Sequence, residues 1–156
     1  MDTDNISVVF DCNVYVQAML NPNGIASKCW QFAESGVMTL FVSETILAEI
    51  SDVLRRPGFQ KLSANFTPER IAAFLDHISE EAICLRNVPE EYRYPRDPKD
   101  EPYINLAIVA RASFIASYDK DLLDLMKDND AGYEFRRRYP MLRIIEPVDL
   151  LKELVQ

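Results

Sequence analysis

The sequence predicts an α/β fold: a mainly parallel sheet of four or five strands with helices on both faces. Three observations carry this. Short apolar runs rich in β-branched and aromatic residues alternate with longer stretches of helical periodicity, which is the pattern of βαβ units. The first run, Ile6 to Phe10 (I-S-V-V-F), has the make-up of a buried strand. The chain has 156 residues, 48% of them apolar and 27% charged, with no internal repeat or low-complexity linker. That length suits one domain, residues 1–156, able to bury roughly 70% of its extended surface without metal or disulfide staples.

Taken in order, the first strand ends at Asp11, and Asn21-Pro22-Asn23-Gly24 forms a turn. Ile25 to Ser35 is helical, with Gly36 as its stop. Thr39 to Val42 is a second strand. Ser43 caps the helix that follows, whose apolar face is Ile46, Leu47, Ile50, Val53 and Leu54 and which stops before Pro57-Gly58. Thr67-Pro68-Glu69 opens another helix, with a cap residue and Pro at the first helical position. Ala82 to Leu85 is a third apolar run. Asn87 to Pro102 is a loop rich in Pro and charge, followed by a helix over Tyr103 to Arg111. Phe114 to Ala116 is a strand, Asp121 to Met126 is helical, and Asp128 to Tyr139 is a polar loop or frayed helix. Leu142 to Ile145 is the last strand and Pro147 to Leu154 the last helix.

The scarce residues exclude several chemistries. The four glycines are not spaced for a Walker loop or a G-x-G-x-x-G turn. The single histidine, His77, rules out H-E-x-x-H zinc chemistry, and no G-x-S-x-G elbow supports a triad. The three cysteines, Cys12, Cys29 and Cys84, form no C-x-x-C motif and fit a reduced, cytoplasmic protein. No apolar run approaches the ~20 residues of a membrane span, and the acidic start, Met1-Asp2-Thr3-Asp4-Asn5, is unlike a signal peptide. Carboxylates are the most plentiful tool left.

In an open parallel sheet, ligands bind beyond the carboxyl ends of the strands. Asp11 follows I-S-V-V-F and Asp119 follows F-I-A-S-Y. Glu49 borders the apolar stripe of its helix, and Asp100 precedes a helix with Pro102 in its first turn. Each has an ordinary explanation. Asp11 can simply turn the chain, Glu49 can be a solvated helix acid, and Asp119 can be a helix cap. Asp100, like Asp97 and Glu101, can favour the positive end of a helix dipole. Their common placement at one sheet edge makes them a candidate cluster. Like charges packed together raise one another's pKa, and a hard divalent cation such as Mg²⁺ or Mn²⁺ relieves that while favouring phosphodiester hydrolysis.

The segments V-V-F-D-C-N-V-Y-V, S-E-T-I-L-A-E-I-S-D-V-L-R-R-P, R-D-P-K-D-E-P-Y-I-N-L-A and S-Y-D-K-D-L-L, with the ending I-I-E-P-V-D-L-L, resemble a PIN domain. More narrowly, they resemble the VapC-like toxin components of toxin–antitoxin systems. The likeness runs from Ser7 to Leu151. It implies a three-layer α/β/α domain and Mg²⁺- or Mn²⁺-dependent cleavage of RNA to a 5′-phosphate and a 3′-hydroxyl. Carried over by motif, Asp11, Glu49, Asp100 and Asp119 are the catalytic, metal-holding acids. Asn13 is the polar residue of the D-x-N, and Ser43 and Ser117 are hydroxyls lining the site. Glu101 stands beside Asp100 as an alternative third ligand, and Asp121 beside Asp119 as a supporting or replacing acid. Cys12 occupies a position where the family commonly has Thr, and Tyr118 makes S-Y-D of the usual T-G-D or T-S-D.

RNA contact is expected from Arg55, Arg56 and Lys120, with Lys61 and Lys99 as further bases. Arg136-Arg137-Arg138 is the densest basic run, though such a run is usually a solvated face. Tyr15 and Tyr118 are candidates for base stacking, with Trp30 better read as core or surface packing. The resemblance also implies an antitoxin protein partner and a homodimer; no membrane association is expected. Two rivals remain open: a catalytically silent PIN-fold module that binds an antitoxin or RNA-processing partner, and an aspartyl-phosphate enzyme of the haloacid-dehalogenase type. The second wants D-x-D after the first strand, where this chain has Asn13. The net charge of −8 appears unfavourable for RNA. Setting four acids aside for a metal site leaves 21 acids against 17 bases. RNA binding, as well as cleavage, is then expected to need the metal.

Overall fold

The first strand, β1 (Ile6–Phe10), buries Val8, Val9 and Phe10 in succession, so both faces of the sheet are covered at its centre. A computed structural model describes residues 5–62, 64 and 66–155; the acidic segment Met1–Asp4 lies outside them. Five strands form one sheet in the order β3-β2-β1-β4-β5, where β2 is Met38–Ser43, β3 Ile83–Leu85, β4 Phe114–Ala116 and β5 Arg143–Ile145. Every pairing is parallel, with Val9 opposite Phe41 on one side and Ile115 on the other.

The chain winds outward from β1 through β2 to β3, then returns to the other side of β1 for β4 and β5. The strand order reverses between β1 and β4, the place where open parallel sheets generally receive ligands beyond the strand ends. Helices flank the sheet. They are α1 (Cys12–Leu20), α2 (Ile25–Glu34), α3 (Glu44–Leu54), the single turn α4 (Pro57–Gln60) and α5 (Pro68–Glu81). After the loop come α6 (Glu101–Ala110), the short α7 (Lys120–Leu123), α8 (Asp130–Arg138) and α9 (Pro147–Leu154). Helix α6 lies against β1, β2 and β4, α2 against β2 and α9, and α9 against β4.

The expected strands and caps form. The Ser43 hydroxyl accepts the Ile46 N–H at 3.2 Å, Thr67 accepts from Arg70, and Gly36 takes φ +78° just beyond α2. Three elements go beyond the sequence expectation. Helix α1 was not distinguished because Cys12, Val14, Tyr15, Val16 and Ala18 are all buried, which erases the one-sided apolar stripe. The turn α4 starts at the proline expected to follow a helix end. Helix α8 is a formed helix where the sequence left open a polar loop or a frayed helix; Asn129 caps it by accepting the Gly132 N–H at 2.8 Å. Its polar sequence hides it, since only Gly132 and Phe135 face the interior, and a Cβ at Gly132 would meet the Lys127 carbonyl at 2.4 Å.

Candidate metal centre

Asp11 and Asp119 lie at the reversal point, one after β1 and one after β4. Asp11 ends β1 and caps α1, accepting the Cys12 N–H at 2.8 Å. Its other oxygen accepts the Ser117 hydroxyl at 2.7 Å. The same hydroxyl accepts the Asp119 N–H at 2.8 Å, so one fully buried serine joins both acids. Asp119 in turn caps α7 through the Asp121 N–H at 2.9 Å; it is both a cap and a member of the cluster.

Asp100 comes from the end of a single 3-10 turn, Pro98–Asp100, at the head of α6. It is only 4% exposed, and its Oδ2 receives no N–H or O–H donor; the Asp119 carboxylate beside it can share a hydrogen bond only if one of the two acids is protonated. A buried carboxylate oxygen without a partner is costly, by several kcal/mol for an ion, and marks a place where something else binds. Carboxylate oxygens of Asp97, Asp100 and Asp119 all lie within 4.8 Å of one another. Glu49, on α3, accepts a hydrogen bond from the hydroxyl of Tyr103, which is buried on α6.

The electrostatics follow from this crowding. Burial pushes the Asp11 carboxyl up to about 6; the bonds from Ser117 and Cys12 oppose this, and the charges of Asp119 and Glu49 add to it. Burial also raises Asp100, and the carboxylates of Asp119, Asp97 and Asp11 raise it further. Among the described residues, no Lys or Arg forms an ion pair with Asp11, Glu49, Asp97, Asp100 or Asp119. An all-oxygen donor set with a partnerless buried oxygen and no neutralising cation fits a hard divalent ion such as Mg²⁺ or Mn²⁺.

The remaining expected residues are placed as follows. Asn13 is exposed on the first turn of α1. Ser43 and Glu101 line an adjoining cleft of about 530 Å³ whose walls include none of Asp11, Glu49, Asp100 or Asp119. The Glu101 carboxylate accepts the Tyr94 N–H at 2.7 Å, while Asp121 pairs with Arg96 at 2.8 Å. Arg55 bonds Ser51, Arg56 pairs with Asp52, and Lys120 is exposed beside Asp119. Arg136 and Arg138 are engaged within the fold. Arg136 donates to the Leu125 and Lys127 carbonyls, and Arg138 lies over the Tyr92 and Tyr139 rings. The stacking expectation is corrected for Tyr15, while Trp30 packs in the core, one of the two placements the sequence favours for it. Tyr15 and Trp30 are enclosed in the core, edge-on to each other, and present no face to a base, whereas Tyr118 is exposed.

Sequence reasoning passed over Asp97, Tyr103 and Asn105. For Asp97, the D-P-K-D spacing was an available signal, because a cap residue and the end of the short turn it opens are held close by the turn's own hydrogen bond. Asn105 holds the long loop: its Oδ1 accepts the Glu91 and Tyr92 N–H groups at 3.1 and 2.7 Å, and its Nδ2 donates to the Tyr92 carbonyl. Nothing local in the sequence announces that role or the Tyr103–Glu49 bond.

Among the described residues, no helix is long and apolar enough to cross a membrane. No solved structure matches the chain. An uncharacterized protein of Methanocaldococcus jannaschii is 32% identical over 129 residues, covering 83% of this chain and 81% of its own. The PIN domain family model matches residues 7–121, a span that begins within β1 and takes in all four expected acids and the Ser117 that joins two of them. The chain therefore belongs to the PIN domain family, whose members are generally nucleases that use a divalent metal.

Proposed function

We propose that this protein is a Mg²⁺- or Mn²⁺-dependent endoribonuclease, the toxin of a toxin–antitoxin pair. The observation that carries the nuclease reading is the Asp100 oxygen that accepts no N–H or O–H, buried among like-charged carboxylates that pair with no Lys or Arg among the described residues. Asp11, Asp100 and Asp119 would hold the ion, directly or through water, with Glu49 completing the shell. When bound, such an ion acidifies a water and withdraws charge from a phosphate.

The chain's own residues prepare for this. Ser117 fixes Asp11 relative to Asp119 through its two bonds, so two of the acids are set before any ligand arrives. Tyr103 holds one oxygen of Glu49 and leaves the other for a water or the ion. Arg55, Arg56 and Lys120 would meet the RNA backbone from the rim of the site. The resemblance supports a cytoplasmic setting, an antitoxin protein as partner, and a homodimer.

The test is cleavage of single-stranded RNA by the purified chain with Mn²⁺, with chelator, and in Asp11→Asn and Asp119→Asn. Cleavage is expected only in the unmodified chain with metal, and retention of RNA on a filter is expected to need the metal too. Activity that survives both substitutions overturns the assignment. An adjacent reading frame encoding a small DNA-binding protein would support the toxin role.

A further inference from the structure

We propose that Asp97 is a direct ligand of the divalent ion, a fifth carboxylate beyond the four acids that the family resemblance supplies. This rests on reading the cluster as a metal site. Asp97 and Asp100 bracket one 3-10 turn, Pro98–Asp100, closed by the Asp100 N–H donating to the Asp97 carbonyl at 3.0 Å. Asp97 caps this turn from outside it, with non-helical backbone (φ −152°, ψ 87°), and Asp100 ends it. Carboxylate oxygens of Asp97, Asp100 and Asp119 all lie within 4.8 Å of one another. Two oxygens on one Mg²⁺, each about 2.1 Å from it, can be at most about 4.2 Å apart, so only a small inward movement is needed. The independent pointer to a ligand is Asp100 Oδ2, buried in the same cluster without a partner.

A cap role alone does not account for Asp97. Its carboxylate accepts the Lys99 N–H through Oδ1 at 3.3 Å, a long bond that leaves Oδ2 unspent. The nearest cation in sequence, Arg96, is turned away from it. The Arg96 Nε meets Asp121 at 2.8 Å and its Nη2 meets Asp124 at 2.5 Å. The clamp therefore does not neutralise Asp97. It ties the end of the long loop to α7 and the turn after it, two residues beyond Asp119, and so holds Asp97 against Asp119.

Calorimetric titration of Mn²⁺ into the metal-free full chain tests this. Asp97→Asn keeps an oxygen to cap Lys99. It is expected to bind Mn²⁺ at least about tenfold more weakly and to show a smaller Mn²⁺-induced rise in thermal midpoint, with a metal-free midpoint that is unchanged or higher. Asp128→Asn removes the same charge from an exposed site and is expected to stay within about twofold of the unmodified chain, as distant surface charges are screened. Unmodified affinity in Asp97→Asn, or equal weakening in both variants, overturns the ligand assignment and leaves the metal site standing. An unmodified chain that binds no Mn²⁺ overturns the metal reading and this assignment together.

Discussion

The Ser117 hydroxyl donates to Asp11 Oδ2 at 2.7 Å, joining residues 106 positions apart in sequence. Because it also accepts the Asp119 N–H, removing it strands the buried Asp11 oxygen and the half-buried Asp119 N–H at once. Ser117→Ala is expected to cost about 2 kcal/mol in denaturant unfolding and to weaken Mn²⁺ about tenfold or more. A variant with unchanged metal affinity would show that the two acids are set by something other than this bridge.

The like-charge crowding at Asp100 makes metal-free stability depend on pH. Its carboxyl is raised in the folded state, so below the unfolded value of 3.8 both states are protonated and the penalty vanishes. As pH rises above that value the unfolded chain ionises while the folded one resists, and stability is lost. Asp100→Asn removes the charge. It is expected to exceed the unmodified metal-free chain by on the order of 2 kcal/mol at pH 8, with the gap closing toward pH 4. Saturating Mn²⁺ should reverse the order at pH 8. Equal metal-free stabilities at pH 8 would mean that the carboxylates are not crowded in solution.

Tyr103 reaches Glu49 from inside the fold, where it is 1% exposed. Tyr103→Phe keeps the ring and removes only the donor. Unfolding should shift by about 1 kcal/mol, while RNA cleavage at saturating Mn²⁺ drops roughly 10- to 100-fold. A turnover rate equal to that of the unmodified chain would leave Glu49 without a need for orientation.

Asn105 pins the loop that ends at Asp97. Asn105→Ala leaves two N–H groups and a carbonyl near Tyr92 without their partner. The expected loss is about 2–3 kcal/mol, with faster amide exchange over residues 91–97 than in the unmodified chain. Unchanged exchange there would show that the Arg96 clamp and the Glu101–Tyr94 bond suffice to hold the loop.

Much of the fold follows from short-range signals. Strand β1, strand β4, the Ser43 and Thr67 caps and helix α9 are visible because β-branched runs, cap residues and prolines act within a few positions of themselves. Helices α1 and α8 were hidden for opposite reasons. The first is buried on too many sides to show a stripe, and the second is too polar to show one. The sequence likewise offered Asp11 and Asp119 at strand ends, Glu49 beside an apolar stripe and Asp100 ahead of a helix as candidate acids. Which acids share a space was decided by the sheet order, since pairing β1 with β4 brings Asp11, Ser117 and Asp119 together. The Tyr103 bond to Glu49, the Asn105 hold on the loop and the place of Asp97 beside Asp119 also come from packing between distant segments. Local propensity carries no information about such contacts, because their partners meet only once the core has closed.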